Sequence, residues 1–408
     1  MERVPQYRWG PIVLLELANA ASGVANAIVM IAIPWLVLER TGSAASAGLV
    51  VAVASLPGIV VSPLVGFAID RFGRRLVSIV SDVLSAASVA AFPLVAAVGD
   101  LAFGWILGIA VLGAAFDPAG YTARKSLLPD VADASGYPID RLNGIHEGVF
   151  AVGWTIGPAL GAVLIGVVGA VDVFWAAFGL FLVAIASIVL LRVGDAGLEA
   201  RRASGAEDEG MWRSLALGVT VLWNDTALRA ITIALMVLAA VYLPTESVIL
   251  PAYFESRGEP TGLGLLVSAM AGGSVIGSFG YGWISARVSR YQLARLVLIG
   301  TAVSIVPLAL LPSLWVMLVA GFVLGLAWGP FQPLMNTLVQ RRIAPDVQGR
   351  VYGVQTALFY ASPPLAFLLA GWMVENWGVQ ATYLAFAGVL VVTSVAVLLV
   401  RSIRDIDN

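Results

Sequence analysis

Gly66-Phe67-Ala68-Ile69-Asp70-Arg71-Phe72-Gly73-Arg74-Arg75 stands between two long apolar stretches, and Gly282-Trp283-Ile284-Ser285-Ala286-Arg287-Val288-Ser289-Arg290-Tyr291 stands between two others. The second run repeats the first at Gly66/Gly282, Arg71/Arg287 and Arg74/Arg290, with Ala286 in the place of Asp70 and Ser289 in the place of Gly73. The same charged turn at the same point in two series of apolar segments marks an internal duplication. Gly66, near the end of its apolar segment, admits a close neighbouring helix. Gly73 permits a tight turn. Asp70 can accept hydrogen bonds from arginines or sit at a helix N-terminus, where negative charge is favoured. Anchoring a turn in water accounts for the arginines, but not for Gly66, Asp70 and Gly73 at fixed offsets.

The composition explains what the turns connect. Of 408 residues, 60% are hydrophobic and 12% charged, against about 45–50% and about 25% in soluble domains. Too little polar surface remains to coat a soluble body, which excludes a soluble multidomain enzyme, a disordered chain and a nucleic-acid-binding protein. Cysteine is absent and His146 is the single histidine. Disulfides, thiolate sites and multi-histidine metal sites are therefore excluded. A helix crossing hydrocarbon needs about 20 mainly apolar residues. Twelve stretches qualify, near 11–38, 46–69, 76–98, 101–122, 144–168, 171–192, 228–252, 262–286, 292–311, 314–339, 350–373 and 378–400. They are too long for strands and lack the alternation of a membrane barrel, so they must satisfy their backbones as helices. The expected fold is all-α and integral to the membrane, with twelve transmembrane helices in two six-helix halves. Arg3, Arg8 and Ala18-Asn19-Ala20 imitate a signal peptide, but Glu16 interrupts the run and apolar sequence continues to Leu38, so this is read as a retained first span.

Charge placement sets the orientation. Of the 23 lysines and arginines, all but Arg40 and Arg257 fall on one side of the twelve spans. The positive-inside rule puts that side, and both termini, in the cytoplasm of a multi-pass cell-membrane protein. The longest polar stretch, 193–227, contains Arg201-Arg202-Ala203-Ser204-Gly205-Ala206-Glu207-Asp208-Glu209-Gly210, a linker composition. Met211–Trp223 then reads as a short amphipathic helix on the inner membrane face. The expected organisation is a half at 1–192, a linker at 193–227 and a half at 228–408. Paired six-span halves are the architecture of transporters built from repeats, with the substrate held between them.

At the first turn the sequence resembles a known family. The pattern G-x-x-x-D-R-x-G-R-R between spans two and three resembles the loop signature of the major facilitator superfamily. That resemblance implies a conformational latch on the cytoplasmic side formed by Gly66, Asp70, Arg71, Gly73, Arg74 and Arg75, with Asp117 of span four as a further carboxylate beside Asp70 and Arg74. In span five, Gly153-Trp154-Thr155-Ile156-Gly157-Pro158-Ala159-Leu160-Gly161-Ala162 resembles the G-x-x-x-G-P-x-x-G-G signature of drug antiporters, departing at Ala162. Gly153, Gly157 and Gly161 share one helix face and Pro158 bends the helix, which also describes an ordinary packing stripe. Pro34-Trp35-Leu36-Val37-Leu38 before Thr41-Gly42-Ser43, and Phe116-Asp117-Pro118-Ala119 with Arg124 and Leu128-Pro129, resemble the branch of macrolide exporters, siderophore exporters and actinobacterial Tap-type multidrug pumps. Many drug/proton antiporters of the superfamily carry an arginine within span four. Leu101–Ala115 contains no ionisable residue, which puts that route of proton handling in question.

Ionisable residues inside spans are functional candidates by default. Here they are Glu16 in span one, Asp82 in span three, Glu147 in span five and Glu246 in span seven. For the first three, a solvated or arginine-paired carboxylate at the inner mouth is the competing reading. Glu246 interrupts the apolar run Ile231–Phe254 beside Pro244 and Thr245, with no basic neighbour in sequence. A carboxyl whose surroundings alternate between dry and wet can take up and release a proton; alternatively, span seven ends at Pro244 and Glu246 lies in water. Polar and aromatic residues on the spans that line the cavity in the resembled family are Asn19, Asn26, Tyr242, Trp328, Phe331, Gln332, Asn336, Gln355 and Tyr360. Gly329-Pro330 and Pro333 are expected to break span ten. Such walls suit amphipathic organic molecules, though the aromatics equally serve as packing.

The expected function is export of amphipathic or hydrophobic small molecules by alternating access, driven by proton antiport. The expected partners are a small-molecule substrate, protons and the lipid bilayer, with no nucleic acid, cofactor or metal, and the chain acts as a monomer. A lipid or lysophospholipid transporter and a metabolite uptake carrier are the competing transporters. An integral-membrane enzyme is disfavoured because G-x-S-x-G, H-E-x-x-H and G-x-x-x-x-G-K-[ST] are all missing, and a channel because no filter motif is visible.

Overall fold

The computed structural model describes residues 7–194, 219–343, 351, 354–355, 358–359 and 361–399. Within these, the side chains of 59–60, 62–64, 66–67, 70, 117–118, 140–141, 143–144, 282, 332, 336 and 340–341 lie outside the description. Among the described residues there is no strand. Ten helices are long and apolar enough to cross a membrane by length and composition, and helices Ala44–Phe72 and Pro363–Trp377 occupy the second and eleventh stretches. Valines, leucines and aromatics such as Phe279, Trp315, Leu365 and Val392 stand more than half exposed. In lipid, that apolar exterior is the stable arrangement.

The chain forms two compact units, Met1–Gly42 with Val53–Ala206, and Ser43–Ala52 with Glu207–Asn408. In the first unit, spans one (Trp9–Thr41), three (Arg74–Val98), four (Phe103–Ser126), five (Ile139–Val168) and six (Val173–Leu190) pack around a core that includes Leu15, Leu127, Val131, Leu142 and Ile188. The helix Leu128–Ser135, which the twelve-span reading does not contain, follows span four. Pro129 starts it, since proline fits the first helical turn, and Gly136 at φ +70° stops it. Gly73 makes the turn expected of it, with φ +91° and its N–H on the Ile69 carbonyl at 2.8 Å.

In the second unit, span seven continues past Pro244 instead of ending there. Helix Thr226–Pro244 passes into a π turn, Thr245–Ile249, and then helix Leu250–Glu255. Pro251 offers no amide to the preceding turn, and Leu250 N–H reaches back five residues to Thr245. Asp225 caps the start of the span, accepting from the amides of Ala227 and Leu228 at 2.9 Å each, and it also takes Arg342 at 3.1 Å. Span ten breaks where its prolines require: helix Leu314–Trp328 stops and Phe331–Arg342 resumes. Pro333 cannot donate to the Gly329 carbonyl, and Ser278 Oγ from span eight (Pro260–Ser285) donates to it instead at 2.7 Å. Of the expected amphipathic stretch Met211–Trp223, residues 211–218 lie outside the described residues and 219–224 are helical.

Spans eight and ten touch backbone to backbone. A Cβ on Gly273 would stand 2.1 Å from the Phe322 carbonyl oxygen, and one on Gly325 would stand 1.9 Å from that of Met270. Gly325→Val should therefore cost on the order of 3 kcal/mol and deplete the monodisperse fraction in size-exclusion chromatography. Gly388→Ala, where nothing lies within 4 Å, should leave that fraction unchanged.

Candidate functional site

The polar residues of span one form a ridge. Glu16, Asn19 and Ser22 follow at three-residue spacing, which keeps them on one helix face. In the first unit this ridge meets spans three, four and five. Glu16 Oε1 lies 3.0 Å from His146 Nδ1, while Asn19 Nδ2 donates to the His146 carbonyl at 2.9 Å and to Glu16 Oε2 at 3.3 Å. His146 is fully buried and Glu16 is 8% exposed. Among the described residues, His146 Nε2 and Asn19 Oδ1 have no hydrogen-bond partner.

One turn further along the ridge is a buried ion pair. Arg124 Nη1 donates to Asp82 Oδ2 at 2.7 Å and Nη2 to Ser22 Oγ at 2.8 Å, and Ser22 Oγ donates to Asp82 Oδ1 at 3.2 Å. Both charged residues are 2% exposed. Gly120, one turn before Arg124, makes the room: a Cβ there would meet Ser81 Oγ at 3.0 Å and Arg124 Nη1 at 3.2 Å. The helix of span four thus does carry a buried arginine, nine residues beyond Ala115 and two before its last residue, Ser126. Glu147 differs from these carboxylates. It is exposed, bonded to Lys125 at 2.6 Å and to the Tyr121 hydroxyl at 3.2 and 3.3 Å. The Tyr121 ring meets Phe150 at 4.5 Å with the planes tilted by 41°, and Phe150 meets Trp154.

At the charged turn, Arg74 pairs with Asp130 of the helix Leu128–Ser135 at 2.8 Å. Arg75 donates to the Ile188 and Val189 carbonyls at the end of span six, where a cation complements the helix dipole. Arg71 is exposed beside Phe72. Gly66, Asp70 and Asp117 lie outside the described side chains, so the network expected among Asp70, Arg74 and Asp117 lies there too. The span-five glycines face span one: a Cβ on Gly153 would meet Val24 at 3.5 Å, on Gly157 Ala27 Cβ at 2.4 Å, and on Gly161 Ile28 Cα at 3.2 Å. Pro158 lies within that helix.

The second unit holds a different site. Tyr242, Trp328 and Phe331 form a ladder of near-parallel rings, with centroids 5.9 and 5.3 Å apart and planes within 7° and 4°. The break in span ten puts Trp328 and Phe331 on either side of Gly329-Pro330. Glu246 is 8% exposed in the π turn. Gln355 is buried and donates to Thr232 Oγ1 at 3.2 Å, tying spans together. Asn26 is half-buried on span one, and Gln332, Asn336 and Tyr360 lie outside the described side chains. Among the described residues no cluster of His, Asp and Glu could hold a metal.

A family model, the Major Facilitator Superfamily, matches residues 15–363 and 247–407. The chain belongs to that superfamily. It is 38% identical over 404 residues to the "Multidrug efflux pump Tap" of Mycobacterium tuberculosis (strain ATCC 25618 / H37Rv), covering 98% of this chain and 95% of the relative. It is 24% identical to "Macrolide efflux protein A" of Streptococcus pyogenes, with 95% of each chain covered. The nucleoside transporter NupG shares the fold, with a TM-score of 0.78 at 13% identity over 95% of this chain and 98% of that one. As a superfamily member the chain is a multi-pass membrane transporter of small molecules and not an enzyme.

Removing one partner of a buried ion pair leaves an uncompensated charge. Asp82→Ala should lower stability by about 3–5 kcal/mol, read as an earlier thermal unfolding midpoint in detergent. Asp82→Ala combined with Arg124→Leu should recover part of that loss, because no bare charge remains.

Proposed function

We propose that this superfamily member exports amphipathic or hydrophobic small molecules by alternating access, in exchange for protons. The halves 1–192 and 228–408 are the moving bodies, both termini are cytoplasmic, and the working unit is a monomer. The observation that carries the reading is the Glu16–His146 pair, buried between spans one and five at 3.0 Å. With Glu16 as carboxylate and His146 neutral, the pair holds a single negative charge beside the balanced Asp82–Arg124 pair, and one added proton cancels it. A change in buried charge is what a membrane carrier needs in order to prefer one access state over the other. His146 Nε2, without a partner among the described residues, is where that proton can enter once water reaches it.

Among the four candidate carboxylates, Glu16 is paired with the single histidine and Asp82 is held by Arg124 at 2.7 Å. Glu147 sits in an exposed pair with Lys125, and such pairs contribute little. Glu246 remains a second protonatable group, in the other unit. The identity of 38% to a multidrug efflux pump over nearly the full length supports export of drugs over uptake of a metabolite.

Purified protein in liposomes with an imposed pH gradient should move antibiotics or dyes, but not lysolipids, in a gradient-dependent manner. Glu16→Gln and His146→Gln should each lower the gradient-driven rate by roughly tenfold or more, the size of a lost proton-transfer partner, while downhill exchange continues. Transport indifferent to the gradient would sink proton coupling.

A further inference from the structure

The two copies of the charged turn differ in what balances their arginines. In the first, Arg74 pairs with Asp130 and Arg75 with the carbonyls that end span six. In the second, Ala286 stands where the first has Asp70, and no acidic residue occurs between Glu259 and Asp346. Arg287 and Arg295 are exposed, and among the described residues neither pairs with a carboxylate. Each lies against a ring instead: Arg287 Cζ is 3.9 Å from the centre of Trp283, and Arg295 Cζ is 5.6 Å from that of Tyr291. Aromatic and basic residues together at the end of a span belong at the level of the lipid headgroups. Cations there without an anion of their own attract anionic lipid.

A groove begins where this patch ends. On span nine (Arg290–Ala309), Arg295 opens an exposed stripe that continues at helical spacing through Ile299, Val303 and Val306. Those three residues, with Val391, Ser394 and Leu398 of span twelve (Val379–Leu399), line a groove of about 450 Å³. Ala294 and Val397, each one residue from these, line one small cavity behind it, which puts Arg295 at the Leu398 end. At 1.5 Å per residue the stripe from Arg295 to Val306 is about 16 Å long, against about 15 Å for the hydrocarbon of one leaflet. Ser394 is the polar member of the lining, and its buried hydroxyl has no partner among the described residues. An unbonded hydroxyl in an apolar setting is costly. Lipid tails cannot relieve it, whereas the ester carbonyl of a phospholipid can.

We propose that this groove holds one anionic phospholipid of the cytoplasmic leaflet. Its acyl chain lies along span nine, its ester carbonyl accepts from Ser394, and its phosphate rests on Arg295. Arg287 draws the same headgroup, and the two cations select a net negative headgroup over a zwitterionic one. The leaflet follows from the orientation proposed above; the site itself does not depend on the transport reading.

The test uses full-length protein in detergent and two probes with identical chains, dioleoyl phosphatidylglycerol and dioleoyl phosphatidylcholine. Native mass spectrometry across a titration gives the Kd of the first bound lipid. Phosphatidylglycerol should bind more tightly. Arg295→Gln should weaken it roughly fivefold, the worth of one arginine near a membrane surface, and leave phosphatidylcholine unchanged. Arg295→Lys should keep the preference, as should Arg192→Gln, which removes an exposed arginine beyond span six. Val303→Trp, at a site 64% exposed, should fill the groove and weaken both lipids. Should Arg295→Gln not fold, Arg287→Gln takes its place, with a smaller loss expected for phosphatidylglycerol alone. Equal affinity for the two lipids would overturn the proposal, and so would a preference that Arg192→Gln removes as fully as Arg295→Gln. Binding indifferent to Val303→Trp would sink the groove as the site. Lipid-free dimers dispersed by Val303→Trp would make a second copy of the chain the occupant instead.

Discussion

Hydrocarbon offers no hydrogen bonds, so each backbone polar group that faces lipid has to find its partner within the chain. The helices do most of this by construction, and the informative places are those where they fail. At span ten, Pro333 withholds an amide and the Gly329 carbonyl is taken by Ser278 of the neighbouring helix. At span seven, Pro251 withholds another and the ladder widens into a π turn. Neither irregularity is loose. Thr245 Oγ1 donates back to the Val241 carbonyl at 2.8 Å, and the glycine contacts between spans eight and ten hold the broken span ten against its neighbour.

The two units answer the same constraint with different chemistry. The repeated turn at Gly66 and Gly282 points to a common ancestor for their sequences. Yet the first unit buries charge in compensated form, with Arg124 on Asp82 and His146 on Glu16. The second buries rings, and one carboxylate that nothing in the described chain neutralises.

Much of this was legible in the sequence because it depends on local pattern. Apolar length gives the helices, and Gly329-Pro330 with Pro333 gives the break. Gly73 has the positive φ that a tight turn needs. What was not legible depends on which face of a helix is inward and how deep. Arg124 reads as one more cation at the arginine-rich ends of the spans, but the helix runs to Ser126 and Gly120 opens a slot for the guanidinium, so it turns inward to Asp82. The available signal was the small face of Gly120 and Ala123 beside it. As the single histidine, His146 only excludes a multi-histidine metal site; its contact with Glu16, 130 residues away, has no local signature. The twelve-span reading has no helix after span four, yet proline also starts helices, and Leu128–Ser135 carries the Asp130 that holds Arg74.

The Asp82–Arg124 pair also constrains how the protein is made. Its members lie 42 residues apart, so span three leaves the ribosome well before the arginine that will neutralise it. Until span four arrives, Asp82 lacks its cation, and among the described residues Ser22 of span one is its remaining donor. Span three must therefore wait near water, or in the protected environment of the insertion machinery, and settle only when its successor is complete. An interaction that fixes the finished bundle thus also dictates an order of assembly, with spans three and four entering as a couple.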